Sequence, residues 1–253
     1  MMNSIEQLNC SKKILVTGAT SGIGYGVCEA LLSTGIKVLA FGRNKQPIEH
    51  LEGRFGELIH FVSADLSVTK NIEPHIKSFH ERYGKLDGMV HCAGLEETVP
   101  LSLLSNNRVK EMFDINVFSG IELLRICSKK TISNDQASFI FISSVMGALG
   151  QAGKIGYCAS KAAVLGMVKS AALELSKRKI RVNAILPGIV KTPMTEKLFA
   201  GLSEINVKQI IEMHPLGIGE IGDIVPLVMF LLSMEAKWIT GQSLVVDGGY
   251  SIQ

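Results

Sequence analysis

Tyr157 and Lys161 stand four residues apart. On a helix that spacing puts both side chains on one face, a turn from each other, with Ser160 beside them. A free phenol titrates near pH ~10, so unaided it is a poor acid or base at neutral pH. An ammonium held close favours the phenolate and draws that pKa toward the working range. A pair this short also arises by chance on an amphipathic helix, so its meaning depends on what else the chain carries.

The elements that would position the pair alternate along the chain. Lys13 to Thr17 reads as a short apolar strand that runs into Thr17-Gly-Ala-Thr-Ser-Gly-Ile-Gly24 and a helix through Leu32. Gly18, Gly22 and Gly24 at a strand-to-helix turn permit a tight turn, close approach of backbone to a pyrophosphate, and close helix packing. The helix N-terminus would offer free N–H groups to the phosphates. The second strand, Lys37 to Phe41, ends in Gly42-Arg43-Asn44. A dinucleotide fold selective for NAD usually has an acidic residue here for the ribose 2′-hydroxyl. This chain has none. Arg43, with Lys45 as helper, either clamps a 2′-phosphate with its planar fork or is a solvated side chain. The third strand, Leu58 to Ala64, ends at Asp65-Leu66. Asp65 would accept from an adenine amino group or cap the next helix, which runs to Tyr83. The fourth strand, Leu86 to Cys92, ends in Cys92-Ala93-Gly94, small enough for backbone to lie against a ligand.

A long helix is expected from Leu103 to Lys130, with Phe113, Val117, Gly120, Ile121 and Leu124 facing inward. Asn116 falls on the same face. A buried amide without partners costs ~1–3 kcal/mol, so Asn116 is either structural or a site residue. Ser138 to Ile142 is the fifth strand, closed by Ser143-Ser144. The Tyr157 helix follows, its apolar face running through Val164, Val168, Ala171, Ala172 and Leu175. Ile180 to Leu186 is the sixth strand, ended by Pro187-Gly188. Met194 to Met213, rich in Met, Phe and Ile, reads as a mobile flap over a small ligand. A helix from Gly222 to Leu232 and a last strand, Ser243 to Val246, complete the chain.

The expected fold is therefore α/β, with a single dinucleotide-binding catalytic domain over residues 1–253 and a substrate flap at about 191–215. It is a Rossmann-type doubly wound parallel sheet of about seven strands with helices on both faces. Ligands of such sheets bind beyond the carboxyl ends of the strands. Gly18, Arg43, Asp65, Gly94, Ser144 and Pro187 all fall at or near such ends.

Composition sets outer limits. The chain has 253 residues, 47% of them apolar, which is enough for one large core. The net charge of +3 comes from 26 Lys and Arg against 23 Asp and Glu, a balance with no footprint for nucleic acid or an anionic membrane. Cys10, Cys28, Cys92, Cys127 and Cys158 are scattered with no Cys-x-x-Cys, which points to free thiols in a reducing, cytoplasmic setting. The six histidines have no metal-ligand spacing, and no metal is expected. Met1 to Ser11 is polar and short, so no signal peptide is expected. No stretch reaches the ~20 apolar residues of a membrane span.

Taken in order, Thr17-Gly-x-x-x-Gly-Ile-Gly24, Asp65-Leu66, Asn116, Ser144, Tyr157-x-x-x-Lys161 and Pro187-Gly188 resemble the short-chain dehydrogenase/reductase family. The resemblance runs from Lys13 to Tyr250 and includes Ile239-Thr-Gly-Gln and Val246-Asp-Gly-Gly249. Among its members the chain looks most like the 3-oxoacyl-[acyl-carrier-protein] reductases. The resemblance implies that Ser144 holds the substrate oxygen and that Tyr157 gives it a proton in reduction or takes one in oxidation. It implies that Lys161 bonds the nicotinamide ribose and lowers the Tyr157 pKa, and that Asn116 holds a water linking Lys161 to solvent. Val190 and Thr192 would anchor the carboxamide. Gly18, Ser21, Gly22, Ile23, Gly24, Arg43, Asp65, Leu66, Ala93, Gly94, Pro187 and Gly188 would line the rest of the cofactor. Family members are usually tetramers built on the Leu103–Lys130 and Tyr157 helices, so a homotetramer, or a homodimer, is implied.

Departures temper the acyl-carrier reading. The family usually has Asn-Ala-Gly where this chain has Cys92-Ala93-Gly94. Arg178 matches a basic position that holds the carrier's acidic helix, and the other such position falls near Lys129 and Lys130, before a loop, Thr131 to Gln136, that looks longer here. Glu96 and Glu97 at the substrate mouth would not welcome a phosphopantetheine arm. The expected activity is NADPH-dependent reduction of a ketone or 3-oxoacyl carbonyl to a secondary alcohol, with NADP(H) preferred over NAD(H). The alternatives are an NAD(P)-dependent dehydrogenase of a secondary alcohol or sugar, and a dinucleotide-binding scaffold without turnover. Acyl carrier protein remains a partner only of the first.

Overall fold

The computed structural model describes residues 11–252, so Cys10 and the rest of the first ten residues lie outside the described residues. Seven strands form the sheet: β1 (Lys13–Thr17), β2 (Lys37–Gly42), β3 (Ile59–Ser63), β4 (Leu86–His91), β5 (Ser133–Ile142), β6 (Arg181–Pro187) and β7 (Ser243–Val246). All neighbours run parallel, in the order β3-β2-β1-β4-β5-β6-β7. The order reverses direction between β1 and β4, the switch point where a doubly wound sheet opens a crevice for ligands.

The strands are apolar on both sides because helices cover both faces. Successive residues point to opposite faces. On β1, Leu15 enters one core while Ile14 and Val16 enter the other. One face is covered by α1 (Gly22–Ser33), α2 (Gln46–Phe55) and α9 (Ile221–Leu232), which bury Val27, Leu31, Ile48, Leu51, Ile224 and Val228. The other is covered by α3 (Ile72–Tyr83), α4 (Asn106–Phe113), α5 (Ser119–Cys127) and α6 (Ile155–Leu175). Two short helices, α7 (Pro193–Ala200) and α8 (Glu204–Glu212), bury none of their residues.

Several boundaries differ from the sequence expectation. The helix expected from Leu103 to Lys130 is broken, with five residues, Asp114–Phe118, in a π-helical turn between α4 and α5. An extra residue in a turn rotates the following face by about 100°. Ile121, expected inward, is 48% exposed, and Leu123, Ile126 and Cys127 fill the core in its stead. The fifth strand starts at Ser133 rather than Ser138, so the loop before it is short. Helix α2 is an element that the sequence pattern did not single out. The Met194 to Met213 stretch is ordered as α7 and α8.

Beneath the crevice, His91 ties the central elements together. It is 2% exposed, with Nδ1 2.8 Å from Thr17 Oγ1 on β1 and Nε2 3.3 Å from Ser119 Oγ on α5. Thr17 Oγ1 also accepts from the Ala93 N–H at 3.2 Å. Burial pushes the imidazole down to about 3 from its usual 6.5. On acidification the unfolded chain takes up this proton first. Stability is therefore full above pH 6.5 and is lost as the pH falls toward 3, by up to ~1.4 kcal/mol per pH unit. Denaturant midpoints at pH 7 and pH 5 should differ more for wild type than for His91→Asn; equal pH dependence in the two would remove His91 from the acid response.

Candidate active site

The turn between β1 and α1 is shaped for a close ligand. Gly18 and Gly22 adopt φ of +63° and +53°, a region that favours glycine. A Cβ on Gly24 would lie 2.2 Å from the Gly18 carbonyl oxygen, so the helix can start there only without one. Ser21, at the α1 N-cap, leaves the helix N–H groups uncapped by its side chain, and the first turn carries no acidic residue. Uncapped N–H groups and the positive end of the helix dipole suit phosphates. Gly24→Ala should lower stability by ~1–3 kcal/mol through overpacking and weaken nucleotide binding, both readable from thermal midpoints with and without NADPH.

The turn opens into a cavity of about 960 Å³ that runs along the carboxyl ends of the strands. Gly18, Ser21, Gly22, Ile23, Gly24, Arg43, Asp65, Leu66, Ala93, Gly94, Ser144, Tyr157, Lys161, Pro187, Gly188, Val190 and Thr192 all line it. Arg43 is exposed at one end, where no acidic residue of β2 takes its place. Asp65 does not cap α3, which starts at Ile72; its Oδ1 accepts from the Ser67 N–H at 2.9 Å and stabilises the turn. That bond holds its carboxyl below the usual range. An elongated cleft with glycines and uncapped N–H groups at one end and a cationic fork beyond them fits a phosphorylated dinucleotide.

Tyr157, Ser144 and Lys161 meet at the other end. Tyr157 and Lys161 come from α6 and Ser144 from the turn after β5; all three are buried. Ser144 Oγ accepts from the Met146 N–H at 3.2 Å. Lys161 Nζ donates to the Ile142 carbonyl at 3.0 Å and lies 5.8 Å from the centre of the Tyr157 ring. Burial dominates the protonation of both groups. It pushes the Tyr157 phenol up to about 12, with Ser144 pulling weakly the other way, and it pushes Lys161 down to about 8. In the protein alone burial, and not the Lys161 ammonium, sets the direction of the Tyr157 shift.

Asn116 is the one expected site residue that does not line the cavity. It sits behind the wall in the π-helical turn, 1% exposed. Its Oδ1 accepts from the Leu95 N–H at 2.7 Å. Its Nδ2 donates to the Leu95 carbonyl and to Ser160 Oγ, both at 2.9 Å. The amide therefore clips the strand-end loop to the Tyr157 helix. A Cβ on Gly94 would come within 3.3 Å of Lys161 Nζ and 3.4 Å of Asn116 Oδ1, so the three groups converge at that glycine.

Two further features were not legible as site residues. Lys154, at the N-cap of α6, pairs with Glu96 across the cavity wall, and the two side chains are only 7% and 12% exposed. His214 stacks on Tyr250 at 4.8 Å and accepts from the Ile189 N–H at 3.3 Å, with Nδ1 2.8 Å from the Ile210 carbonyl. That histidine fastens the end of α8 to the segment after β6. The motif His214-Pro215-Leu216-Gly217 was its only sequence signal. Among the described residues no cluster of three metal-ligating side chains occurs, and no helix is long and apolar enough to cross a membrane. The four described cysteines are free.

A family model described as enoyl-(acyl carrier protein) reductase matches residues 18–251. The 3-oxoacyl-[acyl-carrier-protein] reductase FabG of Thermotoga maritima is 33% identical over 248 residues, covering 95% of this chain and 98% of its own. ElxO with NADP bound superposes with a TM-score of 0.85 at 28% identity, over 96% of this chain and 99% of its own. A 4-hydroxyisoleucine dehydrogenase complexed with NADH gives 0.87 at 29% identity, over 96% and 99%.

Proposed function

The chain belongs to the short-chain dehydrogenase/reductase family, and from that premise we propose that it is an NADPH-dependent reductase of a ketone or 3-oxoacyl carbonyl. The observation that carries the reading is the placement of Tyr157, buried and lining one cavity with Ser144 and Lys161. Its phenol, pushed up to about 12, is protonated at neutral pH and faces the cavity beside Ser144. A proton donor must start protonated, and a developing alkoxide is more basic than a phenolate, so transfer runs downhill. Ser144 Oγ, held by the Met146 N–H, orients the carbonyl oxygen toward the phenol. The Lys161 ammonium bonds the nicotinamide ribose and stabilises the phenolate left behind. Asn116 keeps the loop at Leu95 and the Tyr157 helix in register. The bound nucleotide supplies the hydride.

The uncapped N–H groups of α1 and the glycines of its turn hold the pyrophosphate, Asp65 the adenine, and Val190 and Thr192 the carboxamide. Thr192 already caps α7, so carboxamide contact there would couple nucleotide binding to the flap. Residues 191–215 act as that flap within a single domain. Their apolar side chains, Met194, Leu198, Leu202 and Ile210 among them, face the cavity, and neither helix buries a residue. The exposed apolar side chains Phe118, Ile121 and Leu173 support a homotetramer built on α4, α5 and α6. The chemistry and thiol content fit a cytoplasmic enzyme.

Arg43 selects NADPH over NADH. Titration of wild type and Arg43→Ala with both nucleotides tests this. A bidentate arginine–phosphate contact is worth ~1.5–3 kcal/mol, roughly ten- to a hundredfold in Kd. NADPH should bind that much tighter than NADH, and the gap should close in the variant. Equal or tighter NADH binding would move the secondary-alcohol dehydrogenase reading to the front.

The named relatives do not decide the substrate, since enoyl and 3-oxoacyl reductions act on different bonds. A carrier-bound substrate has little support from the basic residues. Arg178 is 12% exposed and spends its guanidinium on Asp135 and on the carbonyls of Ser128 and Ser133, at 2.6–2.7 Å. Lys129 bonds Glu73 at 2.6 Å. A free small molecule is the substrate these contacts favour.

A further inference from the structure

Within the cavity, Glu96 and Lys154 form an ion pair that the chemistry above does not use. Glu96 lies in the loop after β4, and Lys154 immediately precedes α6. The two loops are zipped together by the Val99 N–H, which donates to the Gly153 carbonyl at 2.7 Å, so the pair is held on a fixed wall. Lys154 Nζ stands 5.7 Å from the centre of the Tyr157 ring and lines the same cavity. Thr98 Oγ1 donates to Glu96 Oε1 at 2.8 Å, and Lys154 donates to the same oxygen. Both bonds therefore fall on Oε1, which leaves Oε2 as an acceptor, and the ammonium keeps further N–H donors.

A donor and an acceptor set side by side match a hydroxyl group, which is both. They match a carboxylate or a plain alkyl group poorly. A carboxylate would meet Glu96, with Glu111 and Asp114 also lining the cavity. A plain alkyl group would strip solvent from the pair and return no hydrogen bond. Resting on the reductase reading, we propose that Glu96 and Lys154 form a hydroxyl-recognition subsite, and that the substrate is a ketone carrying a hydroxyl group on a carbon near the reacting carbonyl. In the reverse direction the substrate is the corresponding diol. The apolar residues Leu95, Met146 and Leu198 on the same cavity accommodate the remainder of the molecule.

The test compares acetoin, butanone and the α-keto acid of the same chain length, with NADPH, in wild type and variants. A site built to hydrogen-bond a hydroxyl penalises the analogue that lacks it. Wild type should show kcat/KM for acetoin at least about tenfold above both other probes, equivalent to ~1.4 kcal/mol. In the double variant Glu96→Leu/Lys154→Met, the preference over butanone should shrink to about threefold or less, through a larger loss on acetoin than on butanone. The apolar pair replaces the ion pair without leaving a lone buried charge, so folding is preserved, and thermal midpoint and NADPH affinity verify it. Glu96→Gln, which frees the Lys154 charge, should raise activity on the α-keto acid relative to wild type. Turnover of butanone and acetoin at equal efficiency by wild type, or an unchanged preference in the double variant, would overturn the subsite alone. No turnover of any probe, nor of a 3-oxoacyl thioester, with either NADPH or NADH would overturn the reductase reading itself.

Discussion

Tyr157→Phe is expected to lower kcat by about a thousandfold or more while leaving the NADPH Kd within about twofold, since positioned proton transfer contributes ~10²–10⁴. The substitution removes one oxygen and keeps the ring. The ring is 9% exposed and lies with Val164 and Val168 in the larger core, so packing survives. The phosphate cradle at Gly18 to Gly24 is built from another part of the sheet and should be untouched. Stopped turnover with intact binding is therefore the signature of a lost proton donor and not of a damaged fold. The pH dependence supplies a second reading. With the wild-type phenol pushed up to about 12, reduction should not lose its proton donor across neutral and mildly alkaline pH. Near wild-type rates in Tyr157→Phe would place the donor elsewhere.

The residues that this argument uses were largely legible in the sequence, for a physical reason. Most sit where a strand ends, and strand ends are marked by local chemistry: the glycines of 18–24, Asp65-Leu66, Ser143-Ser144, Pro187-Gly188; Tyr157 and Lys161 lie on α6 and were marked by their own spacing. The alternation of strands and helices then fixes a parallel sheet and brings those ends to one edge. What escaped is what depends on contacts distant in sequence. Glu96 and Lys154 are 58 positions apart, and nothing local announces that they pair. The π-helical turn around Asn116 was invisible because an apolar stripe read at a period of 3.6 residues assumes an unbroken helix. Helix α2 carries only two buried side chains, Ile48 and Leu51, too few for a clear stripe. The start of β5 reads Ser-Asn-Asp-Gln, a turn composition, and it joins the sheet through the pairing of Ser133 with Leu86 on β4, with Gln136 at φ +67° where the register shifts.

Lys161→Met should separate stability from function, moving them in opposite directions. The ammonium is buried, and its pKa falls from 10.5 to about 8. A depressed folded-state pKa means that stability is full above 10.5, where Lys161 is neutral in both states, and is lost as the pH falls through about 8. At pH 7 the charged lysine therefore costs the fold on the order of 3 kcal/mol. Its bond to the Ile142 carbonyl, at 3.0 Å, returns about 0.5–1.5 kcal/mol. A methionine of similar length removes the charge and keeps most of the packing. The variant should gain ~1–2 kcal/mol at pH 7, a rise in Tm of roughly 3–6 °C for a chain of this size. The gain should narrow as the pH is raised from 8 toward 10.5, because the wild-type lysine then discharges. Turnover should fall by about a hundredfold or more, since the phenolate formed in the reaction loses a buried cation beside it. A variant less stable than wild type at pH 7 would mean that Lys161 is a structural residue whose hydrogen bond outweighs its burial. A stabilised but inactive variant would mark it as a group that the fold tolerates only for the chemistry, the trade-off expected where a charge is buried beside a reacting bond.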